Sequence, residues 1–288
     1  MISNAKSNYK MRKLKNRLFH GVILLSTLFG VIILVVLLTD ILKSGLDRLS
    51  IDFLKSFPSR FPEKAGIKSA LAGSLWVILL TALFAFPIGV GTAVYLEEYA
   101  KKSWFSTLLQ LNISNLAGVP SIVYGLLGLS VFVRLLGFGR SILSGALTLA
   151  LLILPVIIVA SQEAIKSVPE SLKHGAYALG ASKWQVIRTI VIPTAMPGIL
   201  TGTILAISRA LGEAAPLIMV GAMGYVAFLP QGIVDSYTTL PIQIFNWTSR
   251  PQEAFHELAS AGIIILLVLL LSVNASAILL RNKFQKRM

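Results

Sequence analysis

The amino-acid sequence predicts an all-α polytopic membrane protein with six transmembrane helices. Three observations predict it. Charged residues are 13% of the 288-residue chain, where soluble domains carry about 25%. Mean hydropathy is +0.79. Several runs long enough to cross hydrocarbon, roughly 20 residues at 1.5 Å each, contain no charge. Five such runs cover 18–39, 69–96, 103–133, 141–162 and 258–280, and a sixth apolar stretch, 195–222, is broken only by Arg209 and Glu213.

The first run follows a basic tail of Lys6, Lys10, Arg12, Lys13, Lys15 and Arg17. A cleaved leader has an apolar region of about 7–15 residues and a small-residue cleavage site. This run is longer and no clear site follows it, so it reads as an uncleaved first span. With the N-terminus inside, six crossings also put the C-terminus inside. Most of the 26 Lys and Arg then fall in the tail, 97–104, 163–188 and 281–288, which are the inside segments, as the positive-inside rule requires. The bias is not extreme, because the outer loop 40–68 is itself fairly basic. That loop also holds Asp40, Asp47, Asp52 and Glu63, and acidic residues weigh little in orientation.

The remaining composition excludes several classes. A net charge of +14 suits nucleic-acid binding, but here the basic residues flank apolar runs. There is no cysteine, so no disulfide or thiol chemistry, and His20, His174 and His256 stand too far apart for a metal motif. Neither a catalytic residue, a metal nor a cofactor is expected. The outer segments, cut by Pro58, Pro62 and Gly66 and by Pro230, Pro241 and Pro251, leave no room for a large soluble domain. The chain has no phosphate-cradling G-x-x-x-x-G-K-[ST] loop. ATP, if used, binds a partner.

The inside segment after the fourth span predicts a helix from about Pro169 to Leu179. A turn at Gly180 follows, which tolerates positive φ. A second short helix, capped by Ser182, runs through Arg188, and Pro193 and Pro197 stop or kink the chain. Two readings are open. The segment is an ordinary amphipathic connection, or it docks into a groove of a soluble partner. In the second, its small residues allow close approach while Tyr177 and Trp184 supply anchors.

Arg209 and Glu213 stand at i,i+4, which places both on one helix face. Each charge at membrane depth costs at least about 2.5–3.5 kcal/mol on insertion scales. From Ala195, Arg209 lies about 21 Å along the span. The pair either neutralises itself and locks helix packing or forms an anion site. A guanidinium fork matches phosphate oxygens bidentately. Gly212 and Pro216 favour a broken helix, because proline leaves the carbonyl four residues back without its donor. Broken helices lining a cavity are typical of transport sites. In the third run, Gly118 and Gly125 permit close helix approach and Pro120 opens the backbone ladder. Ser121 and Tyr124 either offer hydroxyls toward a pore or simply pack.

Three motifs carry a family resemblance. Ala178-Leu179-Gly180-Ala181-Ser182 followed by Ile190-Val191-Ile192-Pro193 resembles the coupling loop of ABC importer permeases. Ala176, Gly180, Ile190 and Pro193 match, while His174, Gly175 and Ile192 depart from that family's glutamate, alanine and leucine. Arg209-x-x-Gly212-Glu213-x-Ala215-Pro216 resembles the fifth-span signature of phosphate-specific permeases, with Ala214 where threonine is common. Gly118-Val119-Pro120-Ser121 through Gly125 is similar to that family's third-span motif. Pro87-Ile88-Gly89 through Tyr95-Leu96-Glu97-Glu98-Tyr99 looks like the end of the second span in its A-type subunit (PstA type).

The resemblance covers about residues 66–280. It implies a MetI-like permease bundle at 66–288 with a coupling loop at 163–192, preceded by a tail, first helix and outer loop at 1–65. It implies a phosphate pathway through Arg209, Glu213, Gly212, Pro216, Ser121 and Tyr124. His174, Gly175, Ala176, Leu179, Gly180, Ala181 and Trp184 would meet the ATPase. The partners implied are a second permease (PstC type), two copies of a cytoplasmic ATP-binding subunit (PstB type) and an extracytoplasmic phosphate-binding protein (PstS type). Competing readings are a permease for another oxyanion such as sulfate or molybdate, an ATP-independent anion channel, a membrane enzyme, and a secondary signalling role.

Overall fold

Hydrocarbon offers the backbone no hydrogen-bond partners, so a spanning chain satisfies them within helices. The computed structural model describes residues 2–101 and 103–285, and among these every regular element is helical. Lys102, Lys286 and Arg287, counted with the inside positive charges, lie outside the described residues. The helices are α1 (Ile2–Gly45), α2 (Ile51–Lys55), α3 (Lys68–Tyr99), α4 (Trp104–Leu116), α5 (Ser121–Leu135), α6 (Ile142–Lys166), α7 (Glu170–Ala178), α8 (Lys183–Leu211), α9 (Ala215–Val220), α10 (Leu240–Thr248) and α11 (Glu253–Gln285).

Five of them, α1, α3, α6, α8 and α11, are long and apolar enough to cross a membrane, and α4 with α5 make a sixth crossing bent by 105°. The run 103–133 is therefore not one straight span. Gly118 and Pro120 stand at the bend, and Pro120 disfavours helix at the residue before it. Its extended ψ of 136° starts α5 in a new direction.

The centre of the bundle is α6, whose Ile142, Leu149, Ile153, Ile157 and Ile165 are fully enclosed. α3 runs parallel to it and α8 antiparallel. Small residues bring the backbones together: a Cβ on Gly89 would stand 2.6 Å from Ile157, and Cβ atoms on Gly198 and Gly202 would stand 2.8 and 2.3 Å from those of Ala164 and Ala160. Such contacts replace the hydrophobic driving force that helices lack in lipid.

α1 lies at the edge. It is about 66 Å long at 1.5 Å per residue, and its apolar residues are almost all exposed. It is fastened at its C-terminal end, where Gly45 meets the backbone of Ser260 and Ala261 and the Arg48 guanidinium grips Glu257 at 2.7 Å.

Candidate functional site

Depth follows from the register of α8 on α6. Gly198 faces Ala164 and Gly202 faces Ala160. Continuing that antiparallel register for about seven residues at 1.5 Å each brings Arg209 level with Ile153, near the midpoint of α6. α8 ends two residues later, at Leu211. Gly212 closes it, and α9 starts at Ala215 with Pro216 in its first turn. A continuous helix would have needed an N–H from Pro216 for the Gly212 carbonyl, and proline has none. The fifth crossing is thus broken at mid-depth.

The charged pair sits across this break rather than within one helix, as its spacing had predicted. Arg209 is in the last turn of α8, where the helix dipole favours a cation. Glu213 lies in the connection. Arg209 Nε and Glu213 Oε1 are 3.4 Å apart, with the arginine side chain 50% exposed and the glutamate 18%. Among the described residues, the two terminal nitrogens of the guanidinium have no protein partner. Next to it, the Ser208 hydroxyl contacts Asn274 of α11. Asn274 was not singled out from the sequence. Its signal was an amide inside an otherwise apolar run, where buried polar residues join helices.

The third-crossing and fifth-crossing motifs meet. α5 packs on α9, and a Cβ on Gly125 would stand 2.8 Å from Pro216 Cα and from Met219 Cβ. Pro216 is buried there, Ser121 half-buried and Gly212 exposed. Of the two readings of Tyr124, its contacts are those of packing. Its ring is buried and its hydroxyl donates to the Leu116 carbonyl at 2.8 Å, bracing the two arms of the bent crossing. The same carbonyl also accepts from Val119 N at 3.1 Å, so the bond fastens the turn between α4 and α5. Around the break lies an exposed apolar face that includes Ile122, Val123, Leu126, Leu205 and Ile218.

At the other end, α7 is followed by Gly180 at φ +82°. Ser182 then starts α8 with a complete capping box: its hydroxyl accepts from Gln185 N, and the Gln185 side chain accepts from Ser182 N. The second helix does not stop near Arg188, as expected from Pro193, but continues into the membrane. A π-helical turn at Ile187–Val191 precedes the proline. Wide turns of this kind rearrange the bonding ladder, and so absorb the donor that Pro193 lacks. Leu179 is 90% exposed and Trp184 56%. His174, Gly175 and Tyr177 are exposed, while Ala176 and Ala181 are half-buried.

Sequence reasoning also missed the underside of this loop. Lys173 is buried, with its ammonium 2.8 Å from Glu98 at the end of α3 and 3.1 Å from Glu170. Burial pulls its pKa down, but the hydrogen bonds and charges of the two carboxylates outweigh this and leave it above the ordinary lysine value. Glu97 accepts from Gln162 Nε2 at 2.7 Å, and Lys166 lies 3.7 Å away. Apart from Lys173–Glu170, which is three residues apart, these contacts join segments 65–75 residues apart, so sequence spacing carried no sign of them.

Comparison with known proteins bears on this geometry. Residues 85–288 match the family described as "Binding-protein-dependent transport system inner membrane component". The phosphate transport system permease protein PstA of Yersinia pestis is 32% identical over 286 residues, covering 98% of this chain and 96% of the relative. The probable ABC transporter permease protein YqgI of Bacillus subtilis (strain 168) is 33% identical over 289 residues, covering 96% and 98%. Among solved structures, a bacterial alginate ABC transporter in complex with an alginate pentasaccharide-bound periplasmic protein superimposes with a TM-score of 0.67 at 17% identity, covering 91% of this chain and 93% of that one. The MetNI methionine ABC transporter in an inward-facing conformation gives 0.59 at 15% identity, covering 74% and 94%.

Proposed function

We propose that this chain, which belongs to the binding-protein-dependent transport system inner membrane component family, is the permease subunit through which an ATP-driven importer moves inorganic phosphate. The fold is the MetI-like bundle of ABC importer permeases, and the chain is a multi-pass inner-membrane protein. The phosphate reading is supported by relatives named as phosphate permeases and by one observation above all. A guanidinium stands at mid-depth on a broken helix with its terminal nitrogens unpartnered among the described residues.

Such a charge is not left facing lipid tails. The apolar face around it is therefore covered in the assembly by a second permease, and the conduit runs between the two. Both termini face the cytoplasm. An extracytoplasmic binding protein delivers phosphate to the outer loops. Arg209 receives it through those two nitrogens, in the planar fork that suits a tetrahedral oxyanion. Glu213 holds the guanidinium when the site is empty and competes with phosphate when it is full, which keeps the anion from being trapped. Of the two cytoplasmic ATPase subunits, one docks on the surface of His174, Leu179 and Trp184. Their closure on ATP moves the loop and alternates access. ATP hydrolysis belongs to those partners.

The test is phosphate uptake by the assembled importer in proteoliposomes. Two charge-assisted hydrogen bonds are together worth about 3 kcal/mol, so Arg209→Ala lowers uptake about 100-fold while the complex still assembles. Uptake near the parental rate removes the anion site. Parental uptake that excess sulfate abolishes shifts the reading to another oxyanion.

A further inference from the structure

We infer that the cytoplasmic end of α3 is a direct lever between the ATPase-docking loop and the membrane, driven by Lys173 on Glu98 and Lys183 on Tyr99. The inference rests on the docking role proposed above and adds a path to it.

The last turn of α3, Tyr95–Tyr99, is π-helical. Its three final side chains each touch a different element. Glu97 holds Gln162 and Lys166 of α6. Glu98 holds Lys173 of α7 at 2.8 Å, in a pair whose side chains are only 8% and 11% exposed. Tyr99 lies under the Lys183 ammonium at the start of α8, 5.0 Å from its ring centroid. Both helices of the docking loop therefore bear on one turn of α3.

An exposed ion pair would couple these elements weakly, since it is screened and entropically loose. An enclosed pair with a second carboxylate, Glu170, at 3.1 Å breaks only at high cost. The alternative route, along α8 itself, is softer. Its first turns contain the π-helical Ile187–Val191 followed by Pro193 and Pro197, the features at which helices bend. A push on the loop is partly absorbed there. α3 also has a π-helical turn, Tyr95–Tyr99, and Pro87 further back, but that turn is gripped by α6, α7 and α8 through Glu97, Glu98 and Tyr99, and α3 lies along α6, so movement of Glu98 shifts both central helices. Lys173 and Glu98 are positioning residues and do not touch phosphate.

The experiment uses the assembled importer in proteoliposomes. The chain has no cysteine, so spin labels introduced at Leu83 of α3 and Thr194 of α8, both exposed, report their separation with and without ATP plus vanadate. In Lys173→Met, hydrolysis stimulated by the binding protein persists. The ratio of ATP hydrolysed to phosphate imported rises roughly tenfold, within the range of coupling between linked sites, and the nucleotide-driven distance change is lost. Lys173→Arg, and the exchange Lys173→Glu with Glu98→Lys, restore both.

Retention of the ratio and the distance change in Lys173→Met overturns the lever. So does parallel loss of hydrolysis and uptake, which would make the pair a docking contact only, and so does failure of both rescues. If Lys173→Met does not assemble, the exposed pair substitutes for it. Lys183→Gln and Tyr99→Leu then each raise the ratio about twofold to threefold, in keeping with the smaller worth of a cation–π contact, and an unchanged ratio in both overturns the lever. A parental complex that imports no phosphate ends the substrate reading alone, because the distance measurement does not depend on the solute.

Discussion

Gly125 decides how the broken fifth crossing meets the bent third one. Its missing Cβ leaves room for Pro216 and Met219 at distances no side chain could share. Overpacking of this kind costs about 1–3 kcal/mol, so Gly125→Val lowers the thermal unfolding temperature in detergent and, by pushing α9 off α5, reduces uptake as well. Gly118, whose Cβ would meet only the Asn115 carbonyl at 3.5 Å, serves as the control: Gly118→Ala leaves both readouts within error. At this scale the sequence marked Arg209 by the cost of a charge in an apolar run and Gly125 by its motif. It did not mark the state of either. That two nitrogens of Arg209 have no partner among the described residues depends on how other helices pack around it, and that Tyr124 donates to Leu116 depends on the bend between α4 and α5.

Among the elements, the loop between α6 and α8 was the most legible. Gly180 and Ser182 define its turn by local rules alone, one through a positive φ and the other through an N-cap. Gly180→Ala meets no neighbour, because the space around it is open. Its cost is the left-handed backbone, about 1–2 kcal/mol. Ser182→Ala removes the capping box at about 1 kcal/mol. Both changes loosen the start of α8, and the expected outcome is several-fold less co-purified ATPase, with faster amide exchange confined to residues near 183–187. Unchanged co-purification in both variants would count against docking at this turn. What local rules misread was the end of the same helix. Pro193 signals a stop, yet α8 runs on into the membrane because the π-helical turn before it removes the need for the missing donor.

For the whole molecule, α1 stands apart. The family match begins at residue 85, and the apolar middle of α1 is exposed to its surroundings along its length. Lipid accepts any apolar side chain equally, whereas a packed interface does not. Scrambling the order of the apolar residues between 22 and 37 is therefore expected to leave phosphate uptake within about twofold, an effect of about 0.4 kcal/mol or less. Replacement of Gly45 by leucine, at the close crossing with Ser260 and Ala261, is expected to impair assembly. Measurement of uptake and complex yield for the two variants separates lipid-facing from packed surface on the same helix.

The sequence by itself determined that the chain crosses a membrane in six helical passes, where the turn between α7 and α8 lies, and which crossing carries charge. Each of these follows from local quantities: run length against hydrocarbon thickness, backbone preference at one glycine, and the cost of one guanidinium in oil. Tertiary structure alone decided that α8 breaks level with the middle of α6, that α5 rather than another helix backs the break, and that Glu98 lies under Lys173. These are properties of register between helices. Register in lipid is set by close contact of small residues and buried polar pairs distant in sequence, which no periodicity along one chain records.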